Sequence, residues 1–381
     1  MTDFVVKNGL QIGGGSKLKS GTIAGNATLD LTTGNFFSHT PTADTTFVFN
    51  NPPAAGKAHG FALKVTGVDI GVSYDLANAS YDGVSFSVAA QDTSPNSLFF
   101  RPDGTKMYML GESGDRVNEY NLSTAWDIST ATFFQNFSVG AQENDVQGLF
   151  FKPDGLKMYV IGKNGDDVNE YNLSTAWYIS TASFLQNFSV AAQDGQVYDV
   201  FFKPDGAVMY VLGRTGSNIY EYSLSTAWDV STSSYLRSFS VASQDGDPAG
   251  LFFKPDGTKM YVTGMAGDDI NEYNLSTAWN VSSASFIRNF SVAAQSLDPT
   301  AVFFKSDGTK MYVLCSLDTN AVFQYSTGAS DIVTFTYPAS VKFPNGTSPT
   351  APADGETDLL TFYTDDGGVS YYGIQRGDNM S

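Results

Sequence analysis

The side chains best suited to chemistry are carboxylates set in loops: Asp92, Glu143, Asp145, Asp194, Asp199, Asp245, Asp247 and Asp298, with Tyr198 next to Asp199. Carboxylates gathered in one place can ligate Ca²⁺, accept hydrogen bonds from sugar hydroxyls, or act as the acid and base of a glycosidase. Asp199 stands apart, because the matching positions hold Ser97, Gly148, Gly250 and Ala301. The plainer reading of the set is a solvated acidic loop face, since Asp is an ordinary turn residue. Asp245-Gly246-Asp247 lacks the rest of an EF-hand spacing, so a calcium site here would be irregular; no cofactor is expected.

Other chemistries are excluded by count. Two histidines, His39 and His59, and the single Cys315 rule out a disulfide framework and a Cys/His zinc site. With 39 acidic against 21 basic residues, the 381-residue chain carries a formal net charge of -18. Such a surface repels nucleic acid and anionic lipid, so neither is an expected partner. Met1 to Lys7 lacks a basic-then-apolar signal pattern, and no apolar run is long enough to span a bilayer, which predicts a soluble protein made in a cytoplasm.

What must position the carboxylates is a repeat. Phe99-Phe-Arg-Pro-Asp-Gly104 recurs at Phe150, Phe201, Phe252 and, as Phe303-Phe-Lys-Ser-Asp-Gly308, at Phe303, with 51 residues between copies. Each copy continues into an apolar segment such as Lys157-Met-Tyr-Val-Ile161, a Gly/Asp-rich loop, a segment such as Val168-Asn-Glu-Tyr-Asn-Leu173, a Ser-Thr-Ala-Trp turn and a segment such as Phe184 to Val190. These read as four short strands per unit, with Pro presetting one turn dihedral and Gly supplying the positive φ. Four-stranded units at this period predict a β-propeller. The last copy lacks a fourth strand, and Val84-Ser-Phe-Ser-Val88 matches the missing one, which predicts five blades closed by an N-terminal strand. Tyr74-Asp-Leu76 is similar to Tyr120-Asn-Leu122, which leaves room for an extra partial strand and a sixth blade.

The repeat resembles the YVTN/WD40-like propeller repeats of many bacterial and viral proteins over about residues 84 to 326. That resemblance implies a fold and is nearly silent on function. Within the repeat, the Phe pairs and Met107, Met158, Met209, Met260 and Met311 are read as packing residues. Trp126, Trp177, Trp228 and Trp279 could form a ring of sugar-stacking platforms, but wedging between blades is favoured for such large aromatics. The loops from fourth to first strand and from second to third should emerge on one face, diversified in sequence. The Pro-Asp-Gly and Ser-Thr-Ala-Trp turns should form the uniform opposite face. Binding would fall to the diversified face, which carries the carboxylates.

The flanks, residues 1 to 70 and 330 to 381, lack the repeat and hold short alternating strands such as Thr46-Phe-Val-Phe49, Phe61 to Val65 and Leu359 to Tyr363. Neither piece buries a core alone, so the expectation is one discontinuous β-sandwich with the propeller, residues 71 to 329, inserted between Gly67 and Ala329. Leu29 to Phe36, Thr45 to Pro53, Tyr337 to Gly346 and Leu360 to Gly368 resemble segments of tailed-bacteriophage structural proteins, and Phe4 to Leu10 is similar to the starts of fibre-type proteins. The resemblance implies a virion component whose sandwich attaches to or decorates the particle, with other virion proteins as partners and no catalytic residues. The expected function is a non-enzymatic virion surface protein, homo-oligomeric, presenting its propeller to a host-surface glycan or protein. The alternative is a propeller glycoside hydrolase acting on surface polysaccharide through carboxylates at the channel mouth.

Overall fold

The computed structural model describes residues 20, 23–24, 27–41, 45–66, 73–316, 318–327, 335–352 and 356–380. The opening segment through Leu10 and the junction residues Gly67 and Ala329 lie outside the described residues. The fold is all-β, a five-bladed propeller of 51-residue repeats inserted into a discontinuous sandwich.

In the propeller, blade 1 comprises Pro95–Phe100, Lys106–Gly111, Arg116–Leu122 and Ala131–Ser138, from the axis outward. Blades 2, 3 and 4 repeat this order with inner strands Val146–Phe151, Val197–Phe202 and Pro248–Phe253. Blade 5 takes three strands from the last copy, starting at Pro299–Phe304, and its outer strand from Ser80–Ser87. The ring therefore closes through hydrogen bonds between residues more than 200 positions apart.

Two cyclic contact sets hold adjacent blades. At the axis, Phe99, Phe150, Phe201, Phe252 and Phe303 stand edge to face, with neighbouring ring centroids 5.1–5.6 Å apart around the full circle. Each such pair adds about 0.5–1.5 kcal/mol to its burial. Further out, the tyrosine hydroxyl of each second strand donates to a corner carbonyl of the next blade: Tyr108 to Trp177 at 2.7 Å, Tyr159 to Trp228 at 2.8 Å, Tyr210 to Trp279 at 2.5 Å, Tyr261 to Tyr74, and Tyr312 to Trp126 at 2.6 Å.

The tryptophans are wedges, as expected of them. Trp177 stacks near Phe99 and packs on Phe151, and it is 7% exposed. Its blade's Gly155 sits at φ +73°, where a Cβ would lie 2.4 Å from the indole, so turn and wedge require each other. Tyr74 is the fifth wedge. It has φ 63°, its N–H donates to Gly308 O as the Trp126 N–H does to Gly104 O, and its ring covers Gly308. The segment from Tyr74 thus matches Trp126-Asp-Ile128 rather than Tyr120-Asn-Leu122, and no sixth blade forms among the described residues. A two-residue bulge in Ser80–Ser87, where the other outer strands skip one residue, shifts the alignment and hid this match.

In the sandwich, Thr357–Thr364 pairs antiparallel with His59–Thr66, Phe362 opposite Phe61. The five-stranded sheet runs Val341–Lys342, Tyr371–Met380, Thr357–Thr364, His59–Thr66, Phe36–His39, and so draws on both halves of the chain. Opposing it are a sheet of Ile23–Ala24, Thr28–Asp30 and Val48–Asn50 and the pair Phe335–Thr336 with Thr45–Thr46. Leu29, Phe37, Phe47, Phe61, Leu63, Leu360 and Phe362 share one core between the layers. Contacts divide the chain into Met1–Gly71 with Ser330–Ser381, and Val72–Ala329.

Candidate functional site

Four of the loop carboxylates are closed inside their own blades. Asp92 accepts from the N–H groups of Ser94 at 2.8 Å, Ser113 at 3.2 Å and Gly114 at 3.1 Å. Glu143 takes those of Asp145 and Gly165, Asp194 those of Gln196, Thr215 and Gly216, and Asp245 those of Asp247 and Gly267. All four are 1–5% exposed, so they clamp the fourth-to-first-strand loop onto the second-to-third-strand loop. In blade 5 the polarity reverses: Asp318 accepts from Ser296 Oγ and from Leu297 N–H. These acids leave the candidate binding set, because their oxygens already neutralise backbone donors that burial would otherwise orphan.

Asp199 also faces backbone. Oδ2 accepts from Leu251 N–H of the next blade at 2.7 Å and Oδ1 from Val200 N–H at 2.9 Å. Gly148 makes room for it, since a Cβ there would come within 2.7 Å of Asp199 Oδ1. The inner strand has no partner on its axial edge, and Asp199 caps one of the exposed donors; Ser97 Oγ does the same for Leu149 N–H at 3.1 Å. Burial raises the Asp199 carboxyl to about 7, against the pull of these two bonds.

The open site lies on the axis above these residues. A cavity of about 150 Å³ is lined by all five blades, through the second residues of the inner strands, Asn96, Gln147, Tyr198, Ala249 and Thr300, and the positions after the second strands, Glu112, Lys163, Arg214, Met265 and Ser316. Below it, between Ser97 and Asp199 and the phenylalanine ring, only about 20 Å³ remains, roughly one water. The phenylalanines therefore floor the cavity and close the channel.

One wall is a chain of charge. Tyr198, 8% exposed, has Lys163 Nζ 5.0 Å and Arg214 Cζ 4.8 Å from its ring centroid, and its hydroxyl accepts from Arg214 Nη1. Asp145 pairs with Lys163 at 3.1 Å, and Asp247 pairs with Arg214 through Nε and Nη2. Burial works against both cations, but Tyr198 with Asp145, and Tyr198 with Asp247, hold the Lys163 and Arg214 pKa values above their ordinary ones. Beside it, Glu112 Oε2 accepts from Asn96 Nδ2 at 3.0 Å and Gln147 Nε2 at 3.4 Å. Asp298 does not line the cavity; burial, then the charges of Asp318, Asp268 and Asp247, raise its pKa.

The predicted residues thus separate. Tyr198 lines the cavity, with Asp145 and Asp247 behind its cations, whereas Asp92, Glu143, Asp194, Asp245 and Asp199 serve the scaffold. Glu112, Lys163 and Arg214 open the second-to-third-strand loops of the variable face but were not in the candidate set; the position after each second strand holds five different residues in five copies, and that variation marks the rim.

No protein-family model matches the chain, and no curated protein matches it. Among solved structures it is similar to a candidate 6-phosphogluconolactonase from Bacteroides uniformis, at 13% identity over 69% of this chain and 72% of that one with a TM-score of 0.40. A second from Bacteroides fragilis gives 13%, 57%, 62% and 0.38, and a protein from Lactobacillus plantarum 14%, 74%, 74% and 0.39. Likenesses this distant carry no argument about activity; the propeller rests on its own strand pairing.

Proposed function

We propose that this is a non-enzymatic binding protein of a tailed-phage particle, held there by the split sandwich and offering the axial cavity of its propeller to a host-surface glycan. The observation that carries the binding part is the concentration of sequence variation at the rim. Asp-Gly of the turn and Met-Tyr of the second strand are the same in all five repeats, whereas the two rim positions read Asn, Gln, Tyr, Ala, Thr and Glu, Lys, Arg, Met, Ser. A rigid ring with one asymmetric, polar, floored cavity is suited to orienting a small ligand. The particle part is supported by the sequence resemblance of the flanking segments.

Binding is favoured over hydrolysis by the state of the carboxylates. A glycosidase needs two of them, roughly 5–9.5 Å apart, across the scissile bond. Among the described residues lining the axial space the carboxylates are Glu112, at the mouth, and Asp199, spent on backbone N–H groups; Asp145 and Asp247 lie behind the lining, paired with cations.

A glycan array probed with the wild-type chain and with Tyr198→Ala tests the binding part. Specific hits that weaken at least about tenfold in the variant are expected, because it removes the cavity-lining hydroxyl and the ring that holds Lys163 and Arg214 in place. Hits that persist unchanged, or cleavage of the glycan, would overturn it. Gold-labelled antibody against the chain is expected to decorate purified particles, on head or tail.

A further inference from the structure

The binding reading leaves the ligand's chemistry open, and the unspent groups of the cavity narrow it. Arg214 carries five N–H donors, of which one hydrogen of Nη2 goes to Asp247 and one of Nη1 to the Tyr198 hydroxyl, while Nε lies in the ion pair with Asp247. Two N–H groups remain that no described residue accepts. Lys163 carries three, one on Asp145 at 3.1 Å and one on Tyr198 at a long 3.5 Å. The Tyr198 hydroxyl accepts here, so its own hydrogen is also available. This wall offers charged donors.

The adjoining side is spent in the opposite sense. Asn96 Nδ2 donates to Glu112 and to Val146 O, and Gln147 Nε2 donates to Glu112 and to Asp145. With both amide nitrogens committed, what these side chains present to a ligand are the carbonyl oxygens, beside the Glu112 carboxylate. The third side, Ala249 and Met265, is apolar.

We infer that the cavity takes a sugar residue bearing a carboxylate, its anionic group toward Arg214, Lys163 and Tyr198 and its hydroxyls donating to Asn96, Gln147 and Glu112. This rests on the binding function proposed above. A neutral sugar would offer the two Arg214 donors only hydroxyl oxygens, whereas a carboxylate accepts both in charge-assisted hydrogen bonds about twice as strong. With about 150 Å³ above a closed floor, the cavity takes in the end of a ligand and leaves the rest of a longer glycan outside the mouth. Both cations keep their own carboxylates, so the attraction is short-ranged and directional rather than a general pull on anions, consistent with the net charge of -18 of the whole chain. An acidic sugar at the end of a glycan, inserted from the mouth, meets these conditions.

The test is calorimetric titration of the full chain with methyl glucuronide and methyl glucoside, wild type beside Arg214→Gln and Lys163→Gln, with melting curves confirming that the variants fold. The acidic sugar is expected to bind at least about tenfold more tightly than the neutral one, and each substitution to remove most of that preference. Equal binding of the two sugars by the wild type would overturn the acidic-sugar inference and leave the binding function standing. A preference for the glucuronide that survives both substitutions would overturn the assignment to this wall. If neither sugar binds, the inference fails; a positive glycan array then preserves the binding function, and a blank one removes both.

Discussion

The same residue type does two unlike jobs in this molecule, and Asp199 is where they are easiest to separate. Its carboxyl is buried, and its pKa rises from an ordinary 3.8 to about 7. Between those values the folded chain holds a proton that the unfolded chain has lost, so raising the pH across that window costs stability, up to about 4 kcal/mol. Asp199→Ser supplies a neutral acceptor, as Ser97 already does in blade 1. Chemical denaturation at pH 5 and pH 8 is expected to show the wild type losing more stability than the variant on the alkaline side; parallel profiles would refute this account of Asp199. Nothing in the sequence distinguishes Asp199 or Asp194 from a ligand-binding carboxylate, because the partners that occupy them are backbone N–H groups, identical in every residue type. The charged rim was legible through another signal, the position-by-position divergence of five otherwise similar copies, which singles out Lys163 and Arg214 as readily as Tyr198.

At the scale of the element, each blade is a unit that cannot cover its own corner. The hydroxyl of Tyr159 reaches the carbonyl of Trp228, one blade on, in a cycle that runs through all five blades. Tyr159→Phe leaves that carbonyl buried without its donor, and a loss of about 1–3 kcal/mol in urea denaturation is expected. Gly155→Ala acts on the same corner from the other side. It places a methyl group 2.4 Å from the Trp177 indole at φ +73°, and destabilisation beyond about 1 kcal/mol is expected by the same measurement. The strands and turns were legible because alternation and Pro-Asp-Gly chemistry are local. The fifth corner was not, because the bulge at Asp82-Gly83 put Tyr74 one residue out of register with the tryptophans it replaces.

For the whole molecule, the propeller and the sandwich each have a core of their own, the first distributed between blades and the second pairing residues such as Phe61 and Phe362 from opposite ends of the chain. Two calorimetric transitions are expected, and Tyr74→Ala, which removes the fifth wedge, is expected to lower only the propeller's. A single transition shifted as a whole would contradict that independence. The ring's number of blades followed from counting copies and one spare strand, whereas the cavity needed three dimensions, since its lining is one pair of residues from each of five repeats set 51 positions apart. The central claim is that this cavity is where the protein recognises its ligand. Its most direct test is a crystal structure with the strongest array glycan bound: the account predicts a sugar residue resting above the phenylalanine ring between Glu112 and Arg214, and a glycan seated on the Ser-Thr-Ala-Trp face or on the sandwich would contradict it.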